Sequence, residues 1–339
     1  MEAKCVRFGK KSHAHVACFS PDGQVRLHRT SELMRFDARN PQSLVTGSSD
    51  GFVEVWVASS GKLRTDLLFQ QQEAFMMHDS AVLAASLSRD SELLATGSAD
   101  GILKVWQLHS GACVRRFGAA HAASITSCAF SRDATHVLTA SCDATARVHG
   151  LKSGRLLNEL RGHSSFVNCA AYTADDADIL TAGADGTLRS WNSRTGEPGA
   201  VTRLPPSTPD AAPQPLLAVV PLPGNCALVC PRGGSLYVVS LAALASGVAC
   251  VLRNLPHGCS PSAAPREFVA AAVSARGGFV YGMCCDGTLC CFDMASEAGN
   301  GASRVVAAHA GDGLGVVCHP HRPLVATFGG DGTLKLLKP

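Results

Sequence analysis

The chain has 339 residues, of which 46% are hydrophobic and 17% charged, and its formal net charge is +3. This composition is ample for one large packed core, and the mild charge does not by itself indicate a nucleic-acid partner. No apolar run reaches membrane-spanning length, and the N-terminal residues MEAKCVRFGKKSH lack the apolar segment of a secretory signal.

The 15 cysteines do not predict a disulfide framework. Their number is odd, the chain is long, and most lie inside strand-like apolar runs. We therefore expect buried free thiols in a reducing compartment. The clearest cases are Cys18, Cys128, Cys169, Cys284 and Cys290.

Residues 5–8 begin the chain as a predicted short strand. The first full unit starts at His13, and its strand pattern resumes at Leu44. Residues 25–43 between them are far more than a hairpin needs, so they are predicted to be an insertion loop. The loop is mildly basic, and three interpretations stay open: a solvated surface loop, an error of the gene model, or a nucleic-acid arm.

A fixed spacing then repeats along the chain. Six residues after each of a series of aspartates comes a large or apolar residue that closes a strand, and in four units a histidine precedes the aspartate by 22 positions. The aspartates are Asp50, Asp100, Asp143, Asp185, Asp286 and Asp331, the closing residues are Trp56, Trp106, His149, Trp191, Phe292 and Leu337, and the histidines are His78, His121, His163 and His309. A weaker unit fills the long gap after Asp185, because Gly233, Gly234 and Ser235 precede Val239 at the same offset.

Residues 162–196 contain the clearest unit. Three strand-like runs, residues 166–172, 178–182 and 187–191, are separated by polar and glycine-containing breaks. Asp185-Gly186 is predicted to form a tight hairpin turn of the primed type, since both residue types tolerate a positive φ.

These features resemble WD40 repeats, in which a Gly-His pair, an Asp-Gly turn and a closing Trp recur. Seven such units imply an all-β fold, a seven-bladed WD40 β-propeller that spans residues 1–339 as one domain. The last unit ends at residues 336–339, directly after its third strand. We expect the N-terminal strand to supply the fourth and so close the ring.

The resemblance also implies a buried hydrogen-bond network in which the carboxylate accepts from the histidine, a hydroxyl bridges, and the indole N–H donates inward. The residues in these roles are His78, Ser98, Asp100 and Trp106 in unit two, His121, Ser141 and Asp143 in unit three, His163, Asp185 and Trp191 in unit four, and His309 and Asp331 in unit seven. Such Asp-His-Ser sets raise the question of a hydrolytic triad. Their repetition at one spacing favours a structural role.

The second half of the chain departs from this pattern. Residues 202–215 are proline-rich and are predicted to be an extended linker between blades. Units five and six lack the histidine, so apolar packing is expected to hold them. The tract CHPH, residues 318–321, is a weak signal for zinc because it has no partner pair.

No catalytic, cofactor or metal site is predicted, because no Walker A loop, single-copy nucleophile or metal-ligand spacing occurs. Two connections instead carry candidate partner-binding residues. Phe75, Met76 and Met77 precede unit two, where they either pack between blades or are exposed, and Arg161, Ser164, Ser165 and Phe166 precede or begin unit four.

Several runs resemble the Smu-type spliceosomal WD40 factors, among them VTGSSDGFVEVW (residues 45–56), HGLKSG (149–154), RGHSSFVN (161–168) and DGTLKLLKP (331–339). In that family, too, a His replaces the Trp in HGLKSG. The resemblance implies a nuclear, non-enzymatic scaffold of pre-mRNA splicing, with a cytoplasmic pool left open. Its partners would be spliceosomal proteins and a RED-type protein, with no small-molecule substrate or membrane, and any RNA contact would occur within the spliceosome. The family's N-terminal LisH and CTLH helices have no counterpart here. Two interpretations therefore stay open: the sequence is a fragment, or its gene model is shortened.

One alternative function is the substrate receptor of a cullin-type ubiquitin ligase. Those propellers carry Trp-Asp-x-Arg at the end of a third strand, and Trp191-Asn192-Ser193-Arg194 differs from it by one residue. The asparagine removes the carboxylate of the signature. An enzymatic propeller is a third and weaker alternative.

Overall fold

The computed structural model consists mainly of short β-strands. It describes residues 3–6, 43–47, 50–57, 62–64, 66–72, 76–205, 213–246, 251–256, 267–274, 276–295, 304–318, 323–331 and 333–338. The elements in chain order are β1 (Ala3–Val6), β2 (Ser43–Gly47), β3 (Phe52–Val57), β4 (Lys62–Leu63), α1 (Leu68–Gln71), β5 (Met76–Met77), β6 (Val82–Leu87), β7 (Leu93–Ser98), β8 (Leu103–Gln107), β9 (Cys113–Phe117), β10 (Ile125–Phe130), β11 (His136–Ser141), β12 (Thr145–Gly150), β13 (Leu156–Arg161), β14 (Val167–Tyr172), β15 (Asp178–Gly183), β16 (Thr187–Asn192), β17 (Pro198–Arg203), β18 (Leu216–Leu222), β19 (Cys226–Pro231), β20 (Ser235–Ser240), α2 (Leu241–Ser246), β21 (Val251–Pro256), β22 (Phe268–Val273), β23 (Phe279–Cys284), β24 (Thr288–Asp293), β25 (Arg304–Ala307), β26 (Gly313–Cys318), β27 (Val325–Gly329) and β28 (Leu334–Leu337).

In the described residues these strands form seven four-stranded sheets. We number the sheets 1 to 7 in chain order, without counting β1. Sheet 1 contains β2 to β5. Sheets 2 to 6 each contain four consecutive strands, β6–β9, β10–β13, β14–β17, β18–β21 and β22–β25, which pair in chain order. Sheet 7 has the order β1-β28-β27-β26, so the N-terminal strand lies beside the last strand of the chain. The two are antiparallel, and Ala3 faces Leu337 while Val6 faces Leu334.

Consecutive sheets meet along their first strands. β6, β10, β14, β18 and β22 each lie against the first strand of the following sheet, which for β22 is β26. The outermost strands of sheets 2, 3 and 4 are largely exposed. Apolar side chains fill the space between neighbouring sheets, as where Leu138 and Val148 of sheet 3 pack with Val167 and Ile179 of sheet 4. The core is therefore distributed over the junctions between sheets.

The hairpins between second and third strands all lie at one end of the sheets, which we call the turn face; the opposite end is the far face. At the turn face Gly186 has a φ of 74°, whereas Asp185 is not among the residues with positive φ. The Gly186 N–H donates to the Gly183 carbonyl at 3.1 Å. This is the pattern of a type I turn followed by one left-handed residue. The prediction of a primed two-residue turn is wrong, because the aspartate keeps ordinary backbone angles and its carboxylate accepts the Thr187 N–H at 3.0 Å.

Several of these turns also bond to the following sheet. The His121 N–H of sheet 3 donates to the Gly101 carbonyl of sheet 2 at 3.1 Å. A Cβ on Gly101 would lie 2.4 Å from the His121 carbonyl oxygen, and Gly101 has a φ of 78°. Close backbone approach and a left-handed conformation both require glycine here. In sheet 3 the equivalent position is Ala144, which adopts a φ of 65°.

A β-bulge recurs near the start of the first strand. In sheet 4 the register shifts between Val167 and Cys169, so that Asn168 is the extra residue. The Asn168 Nδ2 donates to the Leu216 carbonyl of sheet 5 at 2.8 Å. The equivalent Thr126 of sheet 3 donates to the Val167 carbonyl of sheet 4 at 2.5 Å. The bulges therefore direct polar side chains into the next sheet.

Sheet 1 is irregular because its outermost strand is divided into β4 and β5, with α1 between them. Both short strands pair with β3. The Gln70 side chain occupies this gap. Its Oε1 accepts the Val55 N–H at 2.6 Å, and its Nε2 donates to the Val55 carbonyl at 3.0 Å. The Gln70 amide thus supplies the acceptor that a continuous strand would offer to the Val55 N–H, while the Val55 carbonyl also accepts the backbone N–H of Arg64 at 2.9 Å.

Some predicted segment bounds change. Residues 202 and 203 belong to β17, so the proline-rich segment begins later than predicted, and residues 206–212 lie outside the described residues. Residue 43 begins β2, and the rest of the predicted 25–43 insertion also lies outside them. The cysteines whose side chains the structure describes form no disulfide with one another; Cys128, Cys284 and Cys290 are buried and Cys169 is half-buried, while Cys18 is outside the described part. In that part of the chain no helix is long and apolar enough to span a bilayer.

Candidate functional site

The most complete histidine network lies in sheet 4. The Trp191 Nε1–H donates to the Thr181 hydroxyl oxygen at 2.9 Å, and that hydroxyl lies 2.8 Å from His163 Nε2. His163 Nδ1 lies 3.0 Å from the Asp185 carboxylate. When the neutral imidazole carries its proton on Nδ1, the indole donates to Thr181, Thr181 to His163, and His163 to Asp185. Every polar group along this chain is then satisfied.

The charges in this network are fixed by burial and hydrogen bonding. Burial alone would raise the pKa of Asp185, but hydrogen bonds from Thr187 and the Ser164 N–H, with the nearby His163, lower it to about 2. Burial lowers the pKa of His163, and the attraction of Asp185 offsets only part of that effect. The pair is therefore a carboxylate and a neutral imidazole near neutral pH.

The bridging hydroxyl belongs to a threonine, and its assignment to Ser98 and Ser141 is wrong. The histidine Nε2 atoms lie 2.6 to 3.0 Å from threonine hydroxyls. Those threonines are Thr96, Thr139, Thr181 and Thr327. They occupy the same strand face as the serines but lie two residues deeper, which is where the closing indole reaches. The sequence does carry the signal, because each threonine follows its histidine by 18 residues.

Sheet 2 lacks the link to the carboxylate that was predicted for it. Trp106 donates to Thr96 at 2.7 Å, and His78 Nε2 lies 2.6 Å from the same hydroxyl. Asp100, however, is exposed, and among the described residues its carboxylate accepts the Ile102 N–H at 3.0 Å and not the histidine. His78 Nδ1 has no hydrogen-bond partner in the described part of the chain. Burial lowers the pKa of His78 to about 4.

Sheet 2 differs from the other three networks at the positions that supply donors to the carboxylate. Two residues after the aspartate, sheets 3, 4 and 7 have a threonine whose hydroxyl donates to the carboxylate at 2.6 to 2.7 Å. Sheet 2 has Ile102 at this position. Isoleucine has no side-chain donor for the Asp100 carboxylate. In sheets 3, 4 and 7 the N–H of the residue after the histidine also donates to the carboxylate, at 3.0 to 3.3 Å, whereas in sheet 2 that residue is the acidic Asp79.

Sheets 3 and 7 lack the indole. In sheet 3, His121 Nδ1 lies 2.9 Å from Asp143, but His149 replaces the tryptophan and packs its ring on Phe117 at 4.9 Å. His149 Nε2 has no hydrogen-bond partner among the described residues, and burial lowers the pKa of His149 to about 3. In sheet 7, His309 lies 3.1 Å from Asp331.

Sheets 5 and 6 replace the network with apolar groups. Val239 and Phe292 occupy the closing positions and are buried in hydrophobic clusters. Asp286 of sheet 6 accepts the N–H of Thr288 at 3.0 Å, so it serves its own turn.

The geometry gives no support to a hydrolytic site in the networks. Each histidine Nε2 is engaged by a buried threonine, and Ser141 donates to the Ala123 carbonyl at 3.2 Å. In the described residues no three His, Cys, Asp or Glu side chains come together as a metal site. Cys318 of the CHPH tract is described, and residues 319–321 are not.

The first set of candidate partner-binding residues divides between core and surface. Met76 is fully buried and packs with Val53 and Val55, so its assignment to a contact surface is wrong. Met77, the next residue of β5, is 45% exposed. Alternation along a strand explains the difference, since successive side chains point to opposite sides. Phe75 lies outside the described residues.

The second set lies together on the turn face. Phe166 is 54% exposed, and its carbonyl accepts the Ala184 N–H at 2.8 Å beside the Asp185 turn. Ser164 is exposed and Ser165 half-buried. Arg161 is exposed and its Nε donates to Glu159 at 2.7 Å. An apolar ring, hydroxyls and a guanidinium are therefore accessible next to the network of sheet 4.

The end of the third strand of sheet 4 bears on the ubiquitin-ligase alternative. Asn192 Oδ1 accepts the N–H groups of Arg194 and Thr195, both at 3.0 Å. The asparagine caps its own turn and carries no negative charge.

Comparison with known proteins is consistent with this geometry. The model of the WD40 family, "WD domain, G-beta repeat", matches residues 69–107, 111–149 and 154–192. Each range contains the network histidine and the closing position of one sheet, from sheet 2 to sheet 4. The chain is 46% identical over 118 residues to the WD40 repeat-containing protein smu1 of Dictyostelium discoideum. This match covers 35% of the chain and 19% of the relative.

Among solved structures, the β-propeller domain of Cps50 (Swd1) from Myceliophteria thermophila superimposes with a TM-score of 0.75 over 100% of both chains. The sequence identity is 14%, so this likeness concerns the fold alone. The chain therefore contains WD40 repeats in an all-β propeller fold.

Proposed function

We propose that the chain is a non-enzymatic protein-interaction scaffold of pre-mRNA splicing, a nuclear component of the spliceosome. The observation that carries the proposal is the 46% identity over 118 residues to the smu1 protein of Dictyostelium discoideum. The resemblance of the HGLKSG run to Smu-type factors supports it. We propose spliceosomal proteins and a RED-type protein as the partners of this chain. They are a proposal because the match spans 19% of that relative.

The scaffold would be a single domain, residues 1–339, built as a seven-bladed ring that β1 closes. The seven sheets of the described residues and the pairing of β1 with β28 support this arrangement. Closure by an N-terminal strand removes the open edge that β28 would otherwise present, and such edges promote aggregation.

The contact surface would be the turn face around Phe166. Exposed aromatic rings next to arginine and small polar groups are typical of the centres of protein interfaces. Phe166 combines 54% exposure with a backbone that is fixed by the Ala184 N–H. A partner can cover this ring without ordering the loop that carries it, which lowers the entropic cost of binding.

Affinity purification with mass spectrometry tests the proposal. Phe166→Ala should reduce recovery of splicing factors at least about tenfold, as loss of a hot-spot residue does. Phe279→Ala is the matched control, since it removes a ring that is 41% exposed at the far face of sheet 6. Both variants should keep the parental melting temperature within a few degrees.

If a stable Phe166→Ala variant recovers the full set of splicing factors, the contact lies elsewhere. Recovery of a cullin-ligase adaptor without splicing factors would instead favour the substrate-receptor function. The capped, uncharged Asn192 argues against that function, because its side-chain oxygen is already engaged within the turn.

A further inference from the structure

The outermost strand of sheet 3, β13, is an open edge with an apolar start. In the described residues β13 pairs with β12 on one side and with no strand on the other. Its first two residues, Leu156 and Leu157, are 46% and 47% exposed. Among the exposed large apolar side chains of the described residues, these two alone are consecutive in the sequence. An open edge of this kind is a template for an additional strand.

Several other outermost strands carry features that protect sheet edges. β17 of sheet 4 begins with Pro198 and Gly199, and β25 of sheet 6 has 4 residues. β9 of sheet 2 has Arg115 and Arg116 at its centre, both exposed. Proline, short strands and charged side chains all discourage pairing with another chain. β13 has 6 residues and none of these features where its two leucines lie.

The two leucines lie at the far-face end of the strand, beside its regular part. Leu156 pairs with His149 of β12, and Leu157 is the extra residue of a bulge. A Cβ on Gly150 would lie 3.1 Å from the Leu157 Cδ1, so this leucine covers the end of β12. The register with β12 is regular over residues 158–161. A segment that pairs with this regular part therefore continues across the two leucines.

Positive side chains surround this end of the strand. Arg115 of sheet 2 reaches the turn before β13, where its Nε donates to the Leu151 carbonyl at 2.9 Å and its Nη2 to the Lys152 carbonyl at 3.3 Å. Lys152 and Arg155 belong to the same turn and are exposed. None of the ion pairs between described residues includes Arg115, Lys152 or Arg155. All three lie within residues 76–205, which are described without a gap.

The carboxylate of β13 is already bound. Glu159 Oε1 accepts the Arg147 Nε–H at 2.9 Å, and its Oε2 accepts the Arg161 Nε–H at 2.7 Å. Two guanidinium groups therefore share this one carboxylate. The edge keeps a positive excess along its length, and it presents no unpaired carboxylate of its own that would repel an acidic ligand.

From these observations we propose that β13 binds an acidic segment of a partner protein, which adds to sheet 3 as a fifth strand. The backbone of the segment bonds to the outward N–H and C=O groups of β13. Its apolar side chains cover Leu156 and Leu157, and its carboxylates meet Lys152 and Arg155. The leucines favour a protein over a nucleic acid, since bases bind best on aromatic rings. This edge is separate from Phe166, so the inference goes beyond the contact proposed at the turn face.

Fluorescence anisotropy on the full chain tests the charge and the apolar contact. A fluorescein-labelled peptide EVELEVE alternates carboxylates with apolar side chains, so that one strand carries both. It should bind saturably, and QVQLQVQ, which has no carboxylates, should bind at least about tenfold more weakly. An oligouridylate of similar length should also bind more weakly, because it has no apolar side chains to cover the leucines.

Variants locate the binding site. Arg155→Glu reverses one charge of the edge and Leu157→Ser removes one apolar contact, and each should weaken EVELEVE binding at least about tenfold. Arg89→Glu is the matched control, because it reverses an exposed arginine at the far face of sheet 2, and it should bind like the parent. Phe166→Ala should also bind like the parent. These substitutions of exposed side chains should keep the melting temperature within a few degrees.

N-methylated peptides test the added strand itself. Successive N–H groups of a strand point to opposite edges, so only alternate ones face β13. EVELEVE that is N-methylated at its even-numbered residues is compared with the peptide N-methylated at its inner odd-numbered residues. One of the two should lose binding at least about tenfold, and the other should bind like the unmethylated peptide.

The proposal is overturned if EVELEVE does not bind saturably, if QVQLQVQ or the oligouridylate binds as tightly, or if Arg155→Glu or Leu157→Ser binds like the parent. It is also overturned if the two methylated peptides bind equally, since an added strand bonds through alternate N–H groups. A dimer of the peptide-free chain that Leu157→Ser abolishes, seen by sedimentation, would assign the edge to a second copy of the chain and overturn the proposal as well.

Discussion

The carboxylate of Asp185 should contribute far more to stability than that of Asp100, although both occupy the same position of the repeat. Asp185 accepts hydrogen bonds from His163 Nδ1, from the Ser164 N–H and from the N–H of Thr187, all at 3.0 Å. It also accepts the Thr187 hydroxyl at 2.7 Å. Asp185→Ala removes the acceptor of the buried Thr187 N–H and hydroxyl, and leaves His163 Nδ1 only the Thr187 hydroxyl oxygen at 3.2 Å.

Each orphaned buried donor costs about 1–3 kcal/mol, whereas the exposed Ser164 N–H can bond to water. We therefore expect Asp185→Ala to lower the free energy of unfolding by about 2–4 kcal/mol. Asp100 is exposed and accepts the Ile102 N–H at 3.0 Å. Asp100→Ala should cost about 0.5–1 kcal/mol.

Urea titrations followed by tryptophan fluorescence measure both losses, provided that the variants share one m-value. A double-mutant cycle adds a sharper test. Asp185→Ala with His163→Ala should show a coupling energy of about 1 kcal/mol or more, and Asp100→Ala with His78→Ala should show almost none. Equal losses for the two aspartates, or equal couplings, would refute the assignment of the networks.

Three further perturbations test other parts of the fold. Ala144→Gly should raise the free energy of unfolding by about 0.5–1 kcal/mol, because the alanine has a φ of 65°; a loss of stability in urea titrations would contradict this. His149→Phe should flatten the pH dependence of stability. The pKa of His149 falls from an ordinary 6.5 to about 3 in the folded chain. The unfolded chain therefore binds a proton at His149 more readily, so the stability of the folded chain is full above pH 6.5 and decreases as the pH falls toward 3. Urea midpoints at pH 7 and 4.5 should therefore differ less in His149→Phe than in the parent, and an unchanged difference would contradict this. Deletion of residues 1–6 should lower the melting temperature by several degrees and promote aggregation; an unchanged melting temperature would show that β1 does not protect the edge of β28.

Strands and turns were largely predictable because they depend on local chemistry. The runs predicted at residues 178–182 and 187–191 become β15 and β16, each one residue longer. The conformation of the Asp185 turn could not be taken from the residue types, since an Asp-Gly pair suits both a primed turn and a type I turn with a left-handed glycine. Helix α2 was not predicted; its Leu244 packs against sheet 5. Tertiary burial determines such a short element more than helix propensity does.

The candidate site was less predictable because exposure is not encoded in spacing. Met76 and Met77 are identical in chemistry, and only the pairing of β5 with β3 determines which one is buried. The threonine bridge was missed although its offset is constant, because the serine nearer the turn offers the same hydroxyl group. In sheet 2 the pattern of His78 and Asp100 is intact, yet the bond between them is absent, and Ile102 offers no hydroxyl to orient the carboxylate. A motif therefore predicts a network only when the groups that orient each member are also present.

The four networks differ in a way that favours sheet 4 as the place for a binding surface. Sheet 2 lacks the bond to the carboxylate, sheet 3 has a histidine in place of the indole, and sheet 7 closes with Leu337. Sheet 4 alone among these four described networks has all the links from Trp191 to Asp185.

Phe166 is presented by this most complete network. The Ser164 N–H bonds to Asp185, and the Phe166 carbonyl bonds to Ala184, so both ends of the short segment that carries the ring are held by the same turn. If rigidity at this position matters for partner binding, Asp185→Ala should weaken recovery of splicing factors at a temperature where the variant is still folded. Asp100→Ala should not, because its carboxylate holds no binding segment. Equal recovery from both folded variants would mean that the partner uses the Phe166 ring without needing the network beneath it, or does not use this face.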